Sequence, residues 1–303
     1  MVFQSLEEIM GVKKMAFAGS WYPGSPEQCR SAVKRFSDDL EIRGDTKILD
    51  NPVGGIVPHA GWIYSGKLAC RVFSALAHGS RGVDTIILFG VHMHAASPAL
   101  ALNCTAVDTP LGTIEIDREL TDALVRRAGT EGVDLEQLGP NRFPEENTLE
   151  LQYPFIKYFF PHARIVVCAV PPSDAARTLG VAAVEAAKEL GRSLAVVGST
   201  DMTHYGPRFD FEPAGSGKVA FDWVAKENDA AAIEALKAMD EKQIIHQGLT
   251  HHNMCCAGAA CAAAAAAKTM GAVKGVCFDY ASSFDPLQPT ADFVGYCGMI
   301  FCL

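Results

Sequence analysis

Three short polar clusters, each placed where an apolar run ends, carry residue types that bind metals. They are Pro58-His59-Ala60-Gly61, Val91-His92-Met93-His94 and His251-His252-Asn253-Met254-Cys255-Cys256. Imidazole nitrogen and thiolate sulfur are ligands for copper, zinc and iron. Two imidazoles and a thiolate brought together would make a three-ligand centre with an open position. His92 and His94 stand two apart, so on an extended chain they share a face. Cys256 opens an alanine-rich stretch, where a helix dipole and free backbone N–H groups would favour the thiolate. A fourth cluster, Gly198-Ser199-Thr200-Asp201-Met202-Thr203-His204-Tyr205-Gly206, also follows an apolar run. Asp201 and His204 there are candidates for acid–base work or for orienting ligands, and equally for closing the loop. Taken singly, each cluster has a plain reading: His59 as a satisfied loop histidine, His251-His252 as a solvated pair. Four on one rim would be the signal.

That rim needs elements to build it. Strand-like runs fall at 53–58, 84–90, 99–107, 164–170, 193–199, 274–280 and 292–302. Helix-like runs fall at 26–40, 65–77, 117–128, 148–159, 173–190, 217–238, 241–247 and 256–270. Their alternation predicts an α/β fold: one domain over 1–303, with a central mixed, mainly parallel sheet and helices on both faces. In such a sheet, ligands bind beyond the C-terminal ends of the strands, where helix N-termini also point. The alanine tract reads as a helix packed closely on the sheet, since alanine is the best helix former and the smallest chiral side chain.

Composition excludes several classes. The chain has 303 residues, 49% apolar and 20% charged, which suits a packed core rather than disorder. A net charge of −9 argues against nucleic acid or an anionic membrane as partner. The run Ala257 to Ala267 is too short and too weakly apolar to span a bilayer. The first residues lack the basic start and apolar core of an export signal, so a cytoplasmic location is expected. The ten cysteines include no CxxC pair and are expected to be free thiols, most of them packed in the core.

The clusters, in order, resemble the Memo proteins, whose bacterial and archaeal members are called AmmeMemoRadiSam system protein B. The resemblance rests on Ala18-Gly19-Ser20-Trp21-Tyr22 and on Pro58-His59-Ala60-Gly61 with Tyr64 and Gly66. It continues through Thr109-Pro110-Leu111-Gly112, Glu146-Asn147-Thr148-Leu149-Glu150-Leu151-Gln152-Tyr153-Pro154 and Ser199 to Gly206. It closes with His252-Asn253-Met254-Cys255-Cys256 and Asp279-Tyr280-Ala281-Ser282-Ser283. It implies a fold like the class III, LigB-type extradiol dioxygenases, with a cysteine where those enzymes use a glutamate.

Carried over, the resemblance implies one transition metal ion, copper or iron rather than zinc, held by His59, His92 and Cys256. His94 is the alternative to His92. Asp201 and His204 take catalytic places, and Glu150, Tyr64 and His252 stand near substrate or ligands. The resemblance also implies a radical-SAM protein and an AMMECR-type protein as partners, with an unknown small-molecule substrate. Some positions depart from the family pattern. Val91-His92-Met93-His94 replaces Ser-His-His, Asn147 and Gln152 stand where histidines are usual, and Phe17 replaces another. Two functions follow: a metal-dependent oxidoreductase, or a metal-binding scaffold without catalysis. A metal-free thiol enzyme using Cys256 with His204 is a third.

Overall fold

Every residue of the run Thr85–Gly90 is buried, and its side chains divide strictly between two cores. Ile86 and Leu88 face one, Ile87 and Phe89 the other. A strand alternates its side chains, so a run apolar at every position must be covered on both faces. The same division separates Ile165 and Val167 from Val166 and Cys168, and Ala195 and Val197 from Val196.

The computed structural model describes residues 11–42, 51–79, 82–287 and 290–303. In its first half, β1 (Val12–Lys13) and α1 (Pro26–Ile42) precede β2 (Pro52–Val57), α2 (Trp62–Gly79) and β3 (Thr85–Gly90). Short strands β4 (Ala99–Leu102), β5 (Ala106–Val107) and β6 (Ile114–Glu115) lead to α3 (Arg118–Thr130) and β7 (Leu135–Leu138). Then come α4 (Asn147–Glu150), α5 (Tyr153–Phe159), β8 (Arg164–Ala169), α6 (Asp174–Glu189), β9 (Leu194–Ser199) and β10 (His204–Tyr205). The last third holds α7 (Gly217–Trp223), α8 (Asp229–Lys237), α9 (Glu241–His251), α10 (Ala257–Thr269), β11 (Lys274–Ser282) and β12 (Phe293–Cys302).

The main sheet runs β12-β2-β9-β3-β8-β4-β7, with β10 and β11 both paired to β12. Its centre, β2-β9-β3-β8, is parallel; β4 and β12 join antiparallel on either side. The architecture is therefore the expected α/β fold with a mixed sheet, parallel where it matters for the rim. A small separate sheet joins β1, β5 and β6. The sequence reading missed β7 and the two-residue strands β1, β6 and β10; it ran β4 and β5 together as 99–107 and joined 217–238 into one helix. That helix is interrupted by a π-helical turn at Val224–Asn228.

One face of the sheet carries α2; the other carries α10, against which α6 and α9 pack. All of Ala257 through Ala267 is buried. The close approach is visible at two glycines. A side chain at Gly180 in α6 would collide with the Ala262 carbonyl, and one at Gly198 in β9 would sit 2.8 Å from the Ala259 carbonyl and 2.9 Å from Ala263 Cβ. Alanine on the helix and glycine on its neighbours bring the backbones together. No helix among the described residues is long and apolar enough to cross a membrane.

Candidate metal centre

Because β9 lies between β2 and β3, the loops leaving these strands meet at one place. β2 delivers His59, β9 delivers Ser199 and Asp201, and β3 delivers His92. The N-terminus of α10 arrives from the other face. Its loop is tied to the β9 loop by the Cys256 N–H donating to Thr200 Oγ1 (3.0 Å) and the Cys255 N–H donating to the Asp201 carbonyl (3.2 Å). The outcome is one cluster: a ligand atom from each of His59, His92, Cys255 and Cys256, all within 4.8 Å of one another.

His59 is 1% exposed, and its tautomer follows from its neighbours. The Ser199 hydroxyl donates its single proton to the Thr148 carbonyl at 2.6 Å. Ser199 Oγ must therefore accept from His59 Nδ1–H, 3.0 Å away. That leaves Nε2 facing the cluster, 3.2 Å from Cys255 Sγ. The backbone of this loop is fixed as firmly. The His59 N–H donates to Asp201 Oδ1 at 2.7 Å. Gln152 Nε2 donates to the Pro58 carbonyl and Asn147 Nδ2 to the His59 carbonyl, each at 3.0 Å. Asn147 and Gln152, which stand where the family pattern has histidines, thus hold the ligand loop in place.

His92 is the more open ligand, with its side chain 42% exposed. Its Nδ1 lies 3.3 Å from Glu146 Oε1, which as a carboxylate can only accept, so Nε2 again turns inward. The residue before it, Val91, has φ +75°, a left-handed conformation that a β-branched residue rarely takes. Such a position stores about 1–3 kcal/mol. Here it is secured by the Val91 N–H donating to Thr148 Oγ1 at 2.8 Å. His94 is exposed, accepts from the Ala96 N–H at 3.1 Å and lies outside the cluster.

The two cysteines differ. Cys255 Sγ touches His59 and receives the Asp201 N–H at 3.3 Å; Cys256 Sγ is 3.8 Å from Cys255 Sγ. Removal from water would raise the Cys255 pKa. The Cys256 thiol and the two imidazoles outweigh that and hold it well below the usual thiol range. Burial and the Cys255 charge push Cys256 well above that range. Burial disfavours the charged form of His59, but Asp201 and Cys255 raise its pKa. His92 is likewise pushed up to about 10 against burial, by hydrogen bonds to Cys255 and Glu146. The expected Cys256 lies in the cluster, but Cys255 joins it there, and it is Cys255 Sγ that meets His59 Nε2. Both flank the helix start; only the turn of the loop decides which sulfur meets the imidazole.

The remaining sequence candidates fall as follows. Asp201 is buried against His59, with Oδ2 3.9 Å from Nε2. His204 borders two cavities. One, of 450 Å³, is lined by His59, His92, Asp201, Tyr64 and Arg208; the other, of 430 Å³, by Cys255, His252 and Phe211. Tyr64 is exposed, and His252 caps α9 in the left-handed conformation with its ring against Phe211. Glu150 does not face the cluster. Its oxygens accept from the Ala16 N–H, the Phe17 N–H and the Tyr22 hydroxyl at 2.8–2.9 Å, anchoring the N-terminal segment. Sequence reasoning missed Ser199, Glu146 and Cys255, although all three lie inside the motifs it singled out.

The donor set suits a metal. Two imidazole Nε2 atoms, each with its Nδ1–H held by an acceptor, beside one thiolate, match copper, iron or zinc better than a hard cation. A family model described as "Memo-like protein" matches residues 13–300. A MEMO1 family protein of Thermococcus onnurineus is 31% identical over 297 residues, covering 96% of this chain and 99% of the relative. One of Methanopyrus kandleri is 33% identical over 294 residues, covering 94% and 97%. One of Thermococcus kodakarensis is 31% identical over 297 residues, covering 96% and 99%. A family model that spans nearly the whole chain, with relatives aligned from end to end, leads to one conclusion: this chain belongs to the Memo family.

Proposed function

We propose that the chain binds one transition metal ion through His59 Nε2, His92 Nε2 and Cys255 Sγ, and uses it as an oxidoreductase on a small molecule. The observation that carries this reading is the arrangement behind the ligands. Both Nδ1 atoms are held by acceptors, Ser199 and Glu146, so both Nε2 atoms converge on one thiolate. When bound, a redox-active ion would supply electron transfer or polarise a substrate oxygen. The chain's own residues do the rest. Asp201 fixes the His59 backbone, and His204, which borders both cavities, would move a substrate proton. A cavity of 450 Å³ sets the substrate's size class as small. Radical-SAM and AMMECR-type partners belong to the same reading and are tested by co-purification.

The test is metal analysis of protein purified without added metal. Wild type should carry close to one copper or iron ion per chain, and the His59→Ala, Cys255→Ser double variant almost none. Equal metal in both would refute the site.

A second reading has its own observation. Cys256 Sγ lies 3.8 Å from Cys255 Sγ, within the same four-donor cluster. Four donors would close a tetrahedral site and leave no open position, which suits a metal store or a scaffold. X-ray absorption of the metal-loaded protein separates the two: one sulfur neighbour supports the oxidoreductase, two support the closed site.

A further inference from the structure

The far edge of the sheet carries a second pair of sulfurs, unrelated to the metal cluster. Cys277 on β11 and Cys297 on β12 have their Sγ atoms 3.4 Å apart. The strands are antiparallel. Cys277 stands opposite Met299, and beyond a bulge Tyr280 stands opposite Cys297. Cys297 is two positions from Met299, so the cysteines are diagonal neighbours on one face. Both are free thiols; Cys297 is fully buried, whereas Cys277 is partly exposed. α8 packs on β11 and brings Lys237 near the pair.

The asymmetry is chemical as well as geometric. The two sulfurs share a hydrogen bond, and that bond, with the charge of Lys237, holds the Cys277 pKa below its usual value despite burial. The same bond and burial hold Cys297 well above. A partly exposed sulfur that ionises readily therefore lies beside a protonated sulfur that solvent does not reach. A thiolate is the nucleophilic form of cysteine. To form a disulfide the sulfurs must close from 3.4 Å to about 2.05 Å, a movement that falls on side chains and backbone of the β11 strand.

We propose that Cys277 and Cys297 form a redox-active dithiol that reduces small peroxides. The Cys277 thiolate attacks one peroxide oxygen, the O–O bond breaks, and the departing hydroxide takes a proton to leave as water. Cys277 is then a sulfenic acid. Cys297 sulfur attacks it, the S–O bond breaks, and the released hydroxide takes the Cys297 proton as a second water. The pair has lost two electrons to the peroxide and forms one disulfide, which an external thiol reductant resets. Partial exposure of Cys277 selects a small oxidant over a protein disulfide.

The experiment treats chelator-washed full-length protein with stoichiometric hydrogen peroxide, followed by non-reducing digestion and mass spectrometry. The expected product is a peptide pair linked through Cys277 and Cys297, lost on adding dithiothreitol. In Cys297→Ser, the Cys277 peptide should accumulate a sulfenic acid trapped by dimedone, at least tenfold above the same peptide in wild type. Finding Cys277 still alkylatable in wild type after peroxide has oxidised other cysteines would overturn the proposal, as would equal dimedone labelling of the Cys277 peptide in wild type and Cys297→Ser. The wild-type peptide map decides the matter even where Cys297→Ser fails to fold. Because the linked peptides are identified individually, a Cys277–Cys297 product is distinguished from any oxidation of Cys255 and Cys256 in the His–Cys cluster.

Discussion

Ser199 has one hydroxyl proton, and the Thr148 carbonyl takes it. That small fact sets which nitrogen of His59 is free. Ser199→Ala should leave the fold intact and weaken metal binding by roughly 10–100-fold, the usual effect of losing a ligand's hydrogen-bond partner. Competition against a chromophoric chelator measures it, with circular dichroism as the check on folding; unchanged affinity would remove Ser199 from the site. Thr148→Val tests the strained approach to His92. It strips the Val91 N–H of its buried acceptor, and an unsatisfied buried donor costs about 1–3 kcal/mol. Denaturant titration should register that loss. Much of this site was readable at the residue level: His59, His92 and Asp201 stand in motifs that end strands. What could not be read was the sulfur. Cys255 and Cys256 are adjacent, and a helix N-terminus favours either; the contact with His59 Nε2 is a property of the loop's dihedral angles.

At the scale of elements, the alanine helix positions the thiolate. Its distance from β9 is set by Gly198 and by Ala259 and Ala263. Ala263→Val would push two methyl groups into a gap with no room, at a cost of about 1–3 kcal/mol. It should also weaken metal binding, because lifting α10 moves Cys255 away from His59. A variant that loses stability but keeps full metal affinity would separate the helix from the site. The alanine tract announced this helix in the sequence, and apolar runs announced the central strands. The two-residue strands β1, β6 and β10 were invisible because two residues carry no alternation. The π-helical turn at Val224–Asn228 was equally silent. It adds a residue to a helical turn without breaking the apolar period enough to be noticed.

For the whole molecule, the order of the strands matters most. β9 enters between β2 and β3, and that is what brings His59, Asp201 and His92 to one point. The sequence shows strands alternating with helices, but not which strand slots between which. The last third is joined to this rim through Asp229, which is fully buried and accepts from the Thr203 N–H (3.0 Å), the Thr203 hydroxyl and the Tyr280 hydroxyl (2.7 Å). Burial raises its pKa from 3.8 to about 6. A carboxyl raised on folding favours the folded state at low pH, and that contribution is lost as pH rises through the folded value. Stability should therefore decline between about pH 4 and pH 6 on this group's account, by something on the order of 3 kcal/mol. Asp229→Asn should flatten the slope, as read from denaturation midpoints across that range; an unchanged slope would assign it to other groups.

The two cavities that meet at His204 have a kinetic consequence. His59 and His92 line one, and Cys255 lines the other. On the oxidoreductase reading proposed above, a centre bordered by two cavities would not force its reactants to queue: one could wait on the histidine side while another arrives on the sulfur side. Steady-state kinetics with two varied reactants would then show random rather than ordered entry, and an inhibitor filling one chamber would be noncompetitive toward whatever uses the other.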